Sequence, residues 1–346
     1  MMNKRAVIAM SGGVDSSVAA ALMLRQGFQC AGVTFRLYAG EGGARDMNDA
    51  QAVASNLGIT HYTLDFSEVF EEHVIRRFIE SYEKGLTPNP CIFCNRRVKF
   101  NPLLLQQYDC DFLATGHYAR VERDPASGRY LLKKAVDEKK DQSYVLYCLS
   151  QSQLERARFP LGDLTKNEVR KIAEEYGFTN AGKGESQDIC FVPDGDYGSF
   201  IERHSGRTYP AGDILDIEGR VLGRHRGVIR YTIGQRRGLG VAANIPVYVT
   251  AKSAENNTVT LGPDANLYSK SLDARDINLV ACADIKKPVR VMVKTRYLQV
   301  SQSALAEQTG EDSLHIEFDA PQRAITPGQA AVMYDNDVVV GGGTIV

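Results

Sequence analysis

The chain has 346 residues, 43% hydrophobic and 24% charged, with 41 basic against 42 acidic side chains. That length exceeds one ordinary core, and no apolar run approaches the roughly 20 residues that span a bilayer, so two or three globular domains and no membrane partner are expected. A formal charge of −1 excludes a generally basic coat, so any contact with a polyanion must come from a local basic face.

MMNKRAVIAM has a charged start, but its apolar stretch is short and runs straight into a glycine loop; it reads as a first strand and not as an export signal. Strands and helices then alternate. RAVIAM is a strand, DSSVAAALMLRQG a helix closed by Gly27, CAGVTF a strand, NDAQAVASNLG a helix ending at Gly58, and HYTLDF a strand over 61–66. Ser67 is expected to cap a helix running to Tyr82, and DFLATG near 111–116 gives a fourth strand. Such alternation implies a parallel sheet covered on both faces. ARVERDPASGRYLLKKAV reads as a hairpin turning at Asp124–Gly128. TKNEVRKIAEEYG, 165–177, carries a Thr165/Glu168 capping box and a terminal Gly177. From about 206 the texture becomes all-β, with PVYVTA, NTVTLG, RVMVKTRY, LHIEF, AAVMY and DVVVGGGTIV separated by Gly, Asn and Asp turns. The fold class expected is α/β, a doubly wound parallel sheet followed by a small β central domain and a C-terminal β-barrel. The boundaries expected are 1–200, 201–270 and 271–346.

Seven cysteines stand at 30, 91, 94, 110, 148, 190 and 282. An odd number at irregular spacing is no disulfide framework, and the cytoplasm is the compartment it suits. Cys30, Cys110, Cys148 and Cys282 sit in or beside apolar segments and read as small buried hydrophobes. Cys91 and Cys94, in NPCIFCN, form a CxxC pair that fits metal binding, redox work or neither.

MSGGVDSS, residues 10–17, falls where the first strand meets the first helix. Gly12 and Gly13 allow a tight turn with N–H groups presented to an anion, at the positive end of the helix dipole. Ser11 and Ser16 can donate to phosphate oxygens, and Asp15 can hold Mg²⁺ or orient the loop. There is neither a Walker ending nor a GxGxxG fingerprint. The stretch resembles the pyrophosphate loop of the ATP-pyrophosphatase superfamily, whose members cleave ATP between the α and β phosphates and adenylate an oxygen that a nucleophile displaces. That resemblance implies an adenine-nucleotide α-hydrolase-like sheet.

TPNPCIFCNRRVKF (87–100), TGHYAR (115–120), KDQSYVL (140–146), SQDICFVP (186–193), YTIGQRRGLG (231–240), KTRY (294–297) and TPGQAAV (326–332) together resemble the bacterial tRNA-specific 2-thiouridylase family, in order and over nearly the whole chain. The resemblance implies sulfur replacing the 2-oxygen of the wobble uridine of tRNA, with ATP and Mg²⁺ as cofactors and a persulfide-carrying protein as sulfur donor. It puts ATP at Ala9, Met10, Ser11, Gly12, Gly13, Val14, Asp15, Ser16, Phe35 and Gly116. It puts tRNA at Pro88, Asn89, Pro90, Cys91, His117, Lys140, Asp141, Gln142, Arg296, Tyr297 and Gln329. Cys190 matches the persulfide carrier and Cys94 the thiol that releases its sulfur, leaving a disulfide. Cys91 departs from the family pattern, which more often has Asp there as a general acid/base. Three thiols also suit a [4Fe–4S] cluster with one open iron, ligated by Cys91, Cys94 and Cys190, that could hold an incoming sulfide.

Two further readings bear on partners. Arg220, Arg224, Arg226, Arg230, Arg236 and Arg237 with His225 lie between Gly219 and Val241 without one acidic residue, an expected phosphate-backbone contact. KTRY adds cations beside a stackable ring. The competing classes are an amide-forming ligase of the GMP-synthetase kind, which shares the loop but needs no distant cysteine pair, and a non-catalytic nucleotide- or RNA-binding scaffold.

Overall fold

The computed structural model describes residues 4–38, 41–182, 189–242 and 245–346, with the backbone alone at 41–45 and 103. β1 (Arg5–Ala9) carries Ala6, Val7 and Ile8, none with any exposure. A strand buried on both faces belongs in the middle of a parallel sheet. The strands that follow are β2 (Gln29–Arg36), β3 (Thr60–Asp65), β4 (Phe112–Thr115), a hairpin of β5 (Arg120–Arg123) and β6 (Tyr130–Lys133), and the two-residue β7 (Ala157–Arg158). The sheet runs β3-β2-β1-β4-β7, parallel throughout. The chain leaves β1 towards β2 and returns on its other side as β4, so a crevice opens at the carboxyl ends of β1 and β4. Open α/β sheets bind their ligands there.

The helix Val14–Arg25 follows β1 and is buried from Val14 through Met23 apart from Asp15. Its run of Ala19, Ala20 and Ala21 brings it close against the sheet. The second helix starts at Glu41, earlier than Asn48 where the sequence pattern begins. The third is Ser67–Phe70, a π turn Glu71–Ile75 and Arg76–Glu83 in succession. Ser67 does not cap it: Ser67 is the first helical residue, and the Asp65 carboxylate accepts from its N–H at 3.0 Å and its hydroxyl at 2.6 Å. Asp offers two acceptor oxygens, and here it takes the capping work from two residues upstream. The capping box of Thr165 and Glu168 on the helix Lys166–Glu175 forms as the sequence predicts.

A four-stranded sheet follows in the order β10-β11-β8-β9, built from β8 (Gly212–Asp216), β9 (Val221–His225), β10 (Tyr248–Ser253) and β11 (Thr258–Gly262). The last unit holds β12 (Tyr268–Leu279), β13 (Val289–Lys294), β14 (Gln302–Gly310), β15 (Ser313–Arg323), β16 (Ala330–Asp335) and β17 (Val338–Ile345). They run β12-β15-β14-β13-β16-β17, and β12 pairs again with β17, so six strands close a barrel.

The hairpin β5–β6 joins that barrel. Lys133 pairs with Val338, the Lys134 N–H donates to the Asp337 carbonyl at 2.7 Å, and the Arg120 guanidinium meets the Asp337 carboxylate at 2.9 Å. A two-stranded hairpin is marginal alone, and Leu132 on this one is fully buried. One apolar cluster accordingly contains Val7, Val33 and Leu113 of the first sheet with Val280, Val332 and Val339 of the barrel.

Candidate active site

The loop after β1 is a self-bonded turn. The Ser11 N–H donates to Ser16 Oγ at 3.1 Å, and the Ser16 and Ser17 hydroxyls donate to the Gly13 carbonyl at 3.0 and 2.9 Å. Asn180, 5% exposed, donates from Nδ2 to the Gly12 carbonyl at 2.9 Å and to Ser17 Oγ at 3.0 Å. Gly12 has φ +71°, and a Cβ there would fall 2.3 Å from the Asp46 carbonyl oxygen. The demand for glycine therefore rests on Gly12, whereas Gly13 has φ −89° and a Cβ there would meet the Ser11 Oγ only at 3.4 Å. Met10, Val14 and Ser16 are buried and shape the loop from behind; Ser11 is exposed at its front. Phe35, one residue before the end of β2, has its ring edge-on to Phe66 at 5.3 Å, and Ala9 closes β1 half-buried.

Gly116, at the end of β4, lies across the crevice. A Cβ on it would stand 2.7 Å from Asp15 C and Ser16 N, so glycine here admits the first turn of the helix Val14–Arg25. Asp15 is held from two sides: Lys166 Nζ lies 2.7 Å and the Tyr118 hydroxyl 2.8 Å from its Oδ1. The Lys166 side chain is 10% exposed and that of Asp15 33%.

His117 follows Gly116, half-buried, with Nδ1 at 2.8 Å from Thr115 Oγ1 and its ring against Phe100 and Phe159. Burial first, and the positive Lys99 second, hold its pKa well below 6.5. The native ring is neutral while the unfolded one titrates near 6.5, so the unfolded chain binds the extra proton first. Stability is therefore full above that value and falls as pH drops below it, at up to ~1.4 kcal/mol per pH unit. Thermal unfolding between pH 7.5 and 5.5 is expected to show this slope, and His117→Gln to flatten it; an unchanged slope in the variant would assign the acid lability elsewhere.

Asn89 begins the helix Pro90–Cys94: its side chain accepts from the Cys91 N–H at 3.1 Å and Pro90 takes the first helical position. The helix continues as a π turn over Asn95–Lys99, with the Phe100 N–H bonding to the Asn95 carbonyl at 3.3 Å. Cys94 is buried, 6% exposed, among Phe70, Phe78 and Phe191. Cys190 lies beyond the undescribed 183–188, where Ser186, Gln187 and Asp188 of its motif fall; its carbonyl accepts from the Tyr38 hydroxyl. Cys91 and Cys190 are both reached by solvent.

The three thiols and the Lys99 ammonium share one electrostatic neighbourhood. Burial pushes the Cys94 thiol up to about 12 against the pull of Lys99, with Cys190 and Cys91 adding to the rise. Cys91 and Cys190 are raised by burial as well, and Cys190 further by Cys91. Burial would lower Lys99, yet the fields of Cys94, Cys91 and Cys190 leave it raised. All seven cysteines are free, and no group of three His, Cys, Asp or Glu among the described residues is gathered closely enough to hold a metal ion. A cluster would need Cys91, Cys94 and Cys190 drawn together to supply three thiolate bonds.

Other candidates have partners inside the protein. Asp141, 6% exposed, accepts from the Ala135 and Ser143 N–H groups at 3.1 and 3.2 Å and from the Ser143 hydroxyl at 2.8 Å. Gln142 exchanges hydrogen bonds with Tyr118, its Oε1 accepting at 2.9 Å and its N–H donating at 2.8 Å, and the Lys140 N–H donates to Asp137. Gln329 Nε2 donates to the Thr87 carbonyl at 2.8 Å, and the Thr87 N–H donates to the Pro327 carbonyl at 2.9 Å. A barrel loop thus grips the residue before the buried Pro88, where the segment leading into the Pro90–Cys94 helix begins. Arg296 donates to the Arg323 carbonyl at 3.4 Å, and Tyr297 leans on Tyr144 at 6.0 Å. The neighbouring Leu298 and Val300 are 88% and 76% exposed.

The arginine run does not form one basic face. Arg220 pairs with Asp216 and Glu218, Arg224 with Asp213, and Arg230 with Asp196 and Glu202. His225 is buried on the Asn257 carbonyl. The carboxylates come from the flanking strand and helix, which a run read in isolation leaves out. Arg226, Arg236 and Arg237 remain exposed, with Arg226 and Arg230 lining a groove of about 850 Å³ beside Tyr197 and Tyr231.

A family model described as the tRNA methyl transferase HUP domain matches residues 4–194, one described as the tRNA methyl transferase PRC-barrel domain matches 198–263, and one described as the aminomethyltransferase β-barrel domain matches 269–345. The tRNA-specific 2-thiouridylase MnmA of Clostridioides difficile (strain 630) is 47% identical over 355 residues, covering 99% of this chain and 98% of that protein. The tRNA-specific 2-thiouridylase MnmA of Acetivibrio thermocellus is 46% identical and the alignment covers 100% of both. Among solved structures, the U34-tRNA thiolase NcsA from Methanococcus maripaludis with its [4Fe-4S] cluster covers 58% of this chain and 66% of that chain at 18% identity and a TM-score of 0.36, too slight a likeness to bear on the cysteines.

Proposed function

This chain belongs to the tRNA-specific 2-thiouridylase family, and from that premise we propose that it replaces the 2-oxygen of the tRNA wobble uridine with sulfur at the expense of ATP. The observation that carries the reading is that Cys94 shares one apolar cluster with Ile189 and Phe191, the two neighbours of Cys190, nearly a hundred residues further along the chain. Methyl transfer, in the wording of the matched models, needs neither an ATP-pyrophosphatase loop nor paired thiols.

The uridine O2 attacks the α-phosphorus of ATP held on Ser11–Ser16 and between Phe35 and Gly116. The bond to the β-phosphate oxygen breaks, pyrophosphate leaves with the electron pair, and the N3 proton passes to water. Asp15, one-third exposed beside the loop, suits the Mg²⁺ that accompanies ATP and screens its phosphates. A donor protein loads Cys190 with a persulfide. The Cys94 thiolate attacks Cys190 Sγ, the terminal S–S bond breaks, and hydrosulfide leaves to displace AMP from C2. The resulting Cys94–Cys190 disulfide is reduced by an external dithiol. Residues 1–200 carry this chemistry, and 201–270 with 271–346 hold the tRNA through Arg226, Arg236, Arg237, Arg296 and Tyr297. Asp141, Gln142 and Gln329 act on tRNA by fixing the loops that meet it. Cys91 serves as a neutral residue where an aspartate is more usual. No step passes through an iron–sulfur cluster. Among the described residues no helix is long and apolar enough to cross a membrane, and a reducing cytoplasm suits seven free thiols.

The test uses the full chain, an unmodified tRNA transcript, ATP–Mg²⁺ and a persulfide donor. Nucleoside mass spectrometry is expected to find 2-thiouridine in proportion to tRNA-dependent pyrophosphate release. Pyrophosphate released with ammonia and a nucleotide acid but not with tRNA would favour an amide ligase instead.

A further inference from the structure

Behind the phosphate loop, one polar side chain from β2 and one from β3 form a chain that ends on a backbone atom of the loop itself. Thr34, 4% exposed, lies 2.7 Å from the Met10 carbonyl oxygen, and a carbonyl can only accept, so the Thr34 hydroxyl donates. That spends its one hydrogen. His61 Nε2 stands 2.9 Å from the same Thr34 oxygen, so this nitrogen carries the ring hydrogen and donates. Burial lowers the His61 pKa from 6.5, which keeps the ring neutral at neutral pH with that one N–H. Gly32, paired in register with His61, completes the seat. A Cβ on it would fall 2.6 Å from Met10 Sδ and 3.1 Å from His61 Cδ2. Met10, 2% exposed, is thereby held at three points: its N–H donates to the Val33 carbonyl at 2.8 Å, its oxygen accepts from Thr34, and its thioether fills the notch at Gly32.

We propose that Thr34 and His61 are positioning residues for the phosphate loop, fixing the peptide plane between Met10 and Ser11 so that its N–H faces the polyphosphate. The proposal rests on the ATP-cleaving function argued above and adds what aims the loop. In a trans peptide the carbonyl and the following N–H point in opposite directions. With the Met10 oxygen turned back to Thr34, the Ser11 N–H points into the turn, where it meets Ser16 Oγ at 3.1 Å beside the exposed front of Ser11. A polyphosphate entering there finds a donor. Without the Thr34 hydroxyl the plane is free to rotate, and the carbonyl oxygen then brings a partial negative charge towards the phosphates. His61 acts only through Thr34. By donating to the Thr34 oxygen it commits the hydroxyl hydrogen to Met10, and as one link of a hydrogen-bonded chain it strengthens the next. The peptide meets ATP and departing pyrophosphate alike, so the pair governs binding and not the bond-breaking step.

Two measurements on the full chain separate aim from stability. One is the KM for ATP and the kcat of tRNA-dependent pyrophosphate release; the other is calorimetric binding of inorganic pyrophosphate. Thr34→Val, which keeps the shape and deletes the donor, is expected to raise the KM and the pyrophosphate Kd together by about twentyfold, with kcat within about threefold. Thr34→Ser should restore both constants to within about threefold of the unaltered chain. His61→Leu should raise both about fivefold, whereas His61→Gln, whose amide can place an N–H where Nε2 stands, should leave them unchanged. Thr34→Val combined with His61→Leu should bind no more weakly than Thr34→Val alone. A merely structural role would lower the folded fraction, and with it kcat, without moving either constant. Unmoved constants in Thr34→Val, additive losses in the double variant, or an unaltered chain that binds no pyrophosphate overturns the proposal. If Thr34→Val does not fold, the contrast between His61→Leu and His61→Gln decides, and equal constants in those two overturn it. A chain that shows the expected pattern with pyrophosphate but releases none from ATP with tRNA would overturn the catalytic function and leave the assignment of Thr34 and His61 standing.

Discussion

Cys94→Ser is expected to lower the yield of 2-thiouridine per turnover by roughly 10³-fold while tRNA-dependent pyrophosphate release stays within about threefold of the unaltered chain. The two halves separate because the phosphate loop lies at the end of β1, and Cys94 sits on another element, the Asn89-capped helix. Serine retains the size of the residue within the apolar cluster it shares with Phe70, Phe78 and Phe191, so the fold should hold. Its hydroxyl cannot attack sulfur at neutral pH, because the alkoxide is scarcely populated. Cys190→Ser should lose thiolation equally, since it removes the atom that carries the persulfide. Cys91→Ala should keep most of the activity. Mass spectrometry of the unaltered chain quenched without reductant should find Cys94 bonded to Cys190. Full thiolation by Cys94→Ser would remove this thiol from the mechanism, and complete loss in Cys91→Ala would return a three-thiol centre to consideration.

Lys99→Met is expected to slow the sulfur step about a hundredfold, again with pyrophosphate release retained. In the ligand-free chain the Cys94 thiol is pushed to about 12 by burial, despite Lys99. A thiol so disposed is protected from adventitious oxidation and needs a nearby cation when its turn comes to attack. A unit charge beside the thiol, in an effective dielectric near 20, contributes a few kcal/mol, about two orders of magnitude in rate. The neighbours of Lys99 are thiols and not carboxylates, so its removal leaves no buried anion and should cost little stability. Lys99→Arg should recover most of the rate. Equal sulfur transfer by Lys99→Met and the unaltered chain, measured in single turnovers of preloaded persulfide, would show that the cation is idle.

Much of this molecule is written in its sequence periodicity. The first sheet, the barrel strands and the Thr165 capping box follow from apolar spacing and cap chemistry, and the phosphate loop from eight consecutive residues. Lys99 was hidden because an α-helix would turn it about 140° from Cys94. The π turn Asn95–Lys99 takes more residues per revolution and swings it back. Lys166 was hidden because its local context explained it fully as part of a helix start. The reading of the arginine run failed for a related reason. Its six positive charges fall within one segment of the chain, but three of them meet Asp196, Glu202, Asp213, Asp216 and Glu218, which lie outside that segment. Partners supplied by tertiary structure are invisible to any window, and that limit applies equally to Asp141 and Gln329.

The bond between Lys133 and Val338 also sets a timetable. A ribosome adding about 5–20 residues per second has to work for some ten to forty seconds after Lys133 before Val338 exists. Until then Leu132 has no barrel to lie against, and the hairpin that follows His117 waits unpaired at its outer edge. The phosphate loop and its parallel sheet can take shape during synthesis, but the floor beneath them is finished only with the last ten residues. A nascent chain halted short of Val338 should therefore be a substrate for holding chaperones rather than a smaller working enzyme.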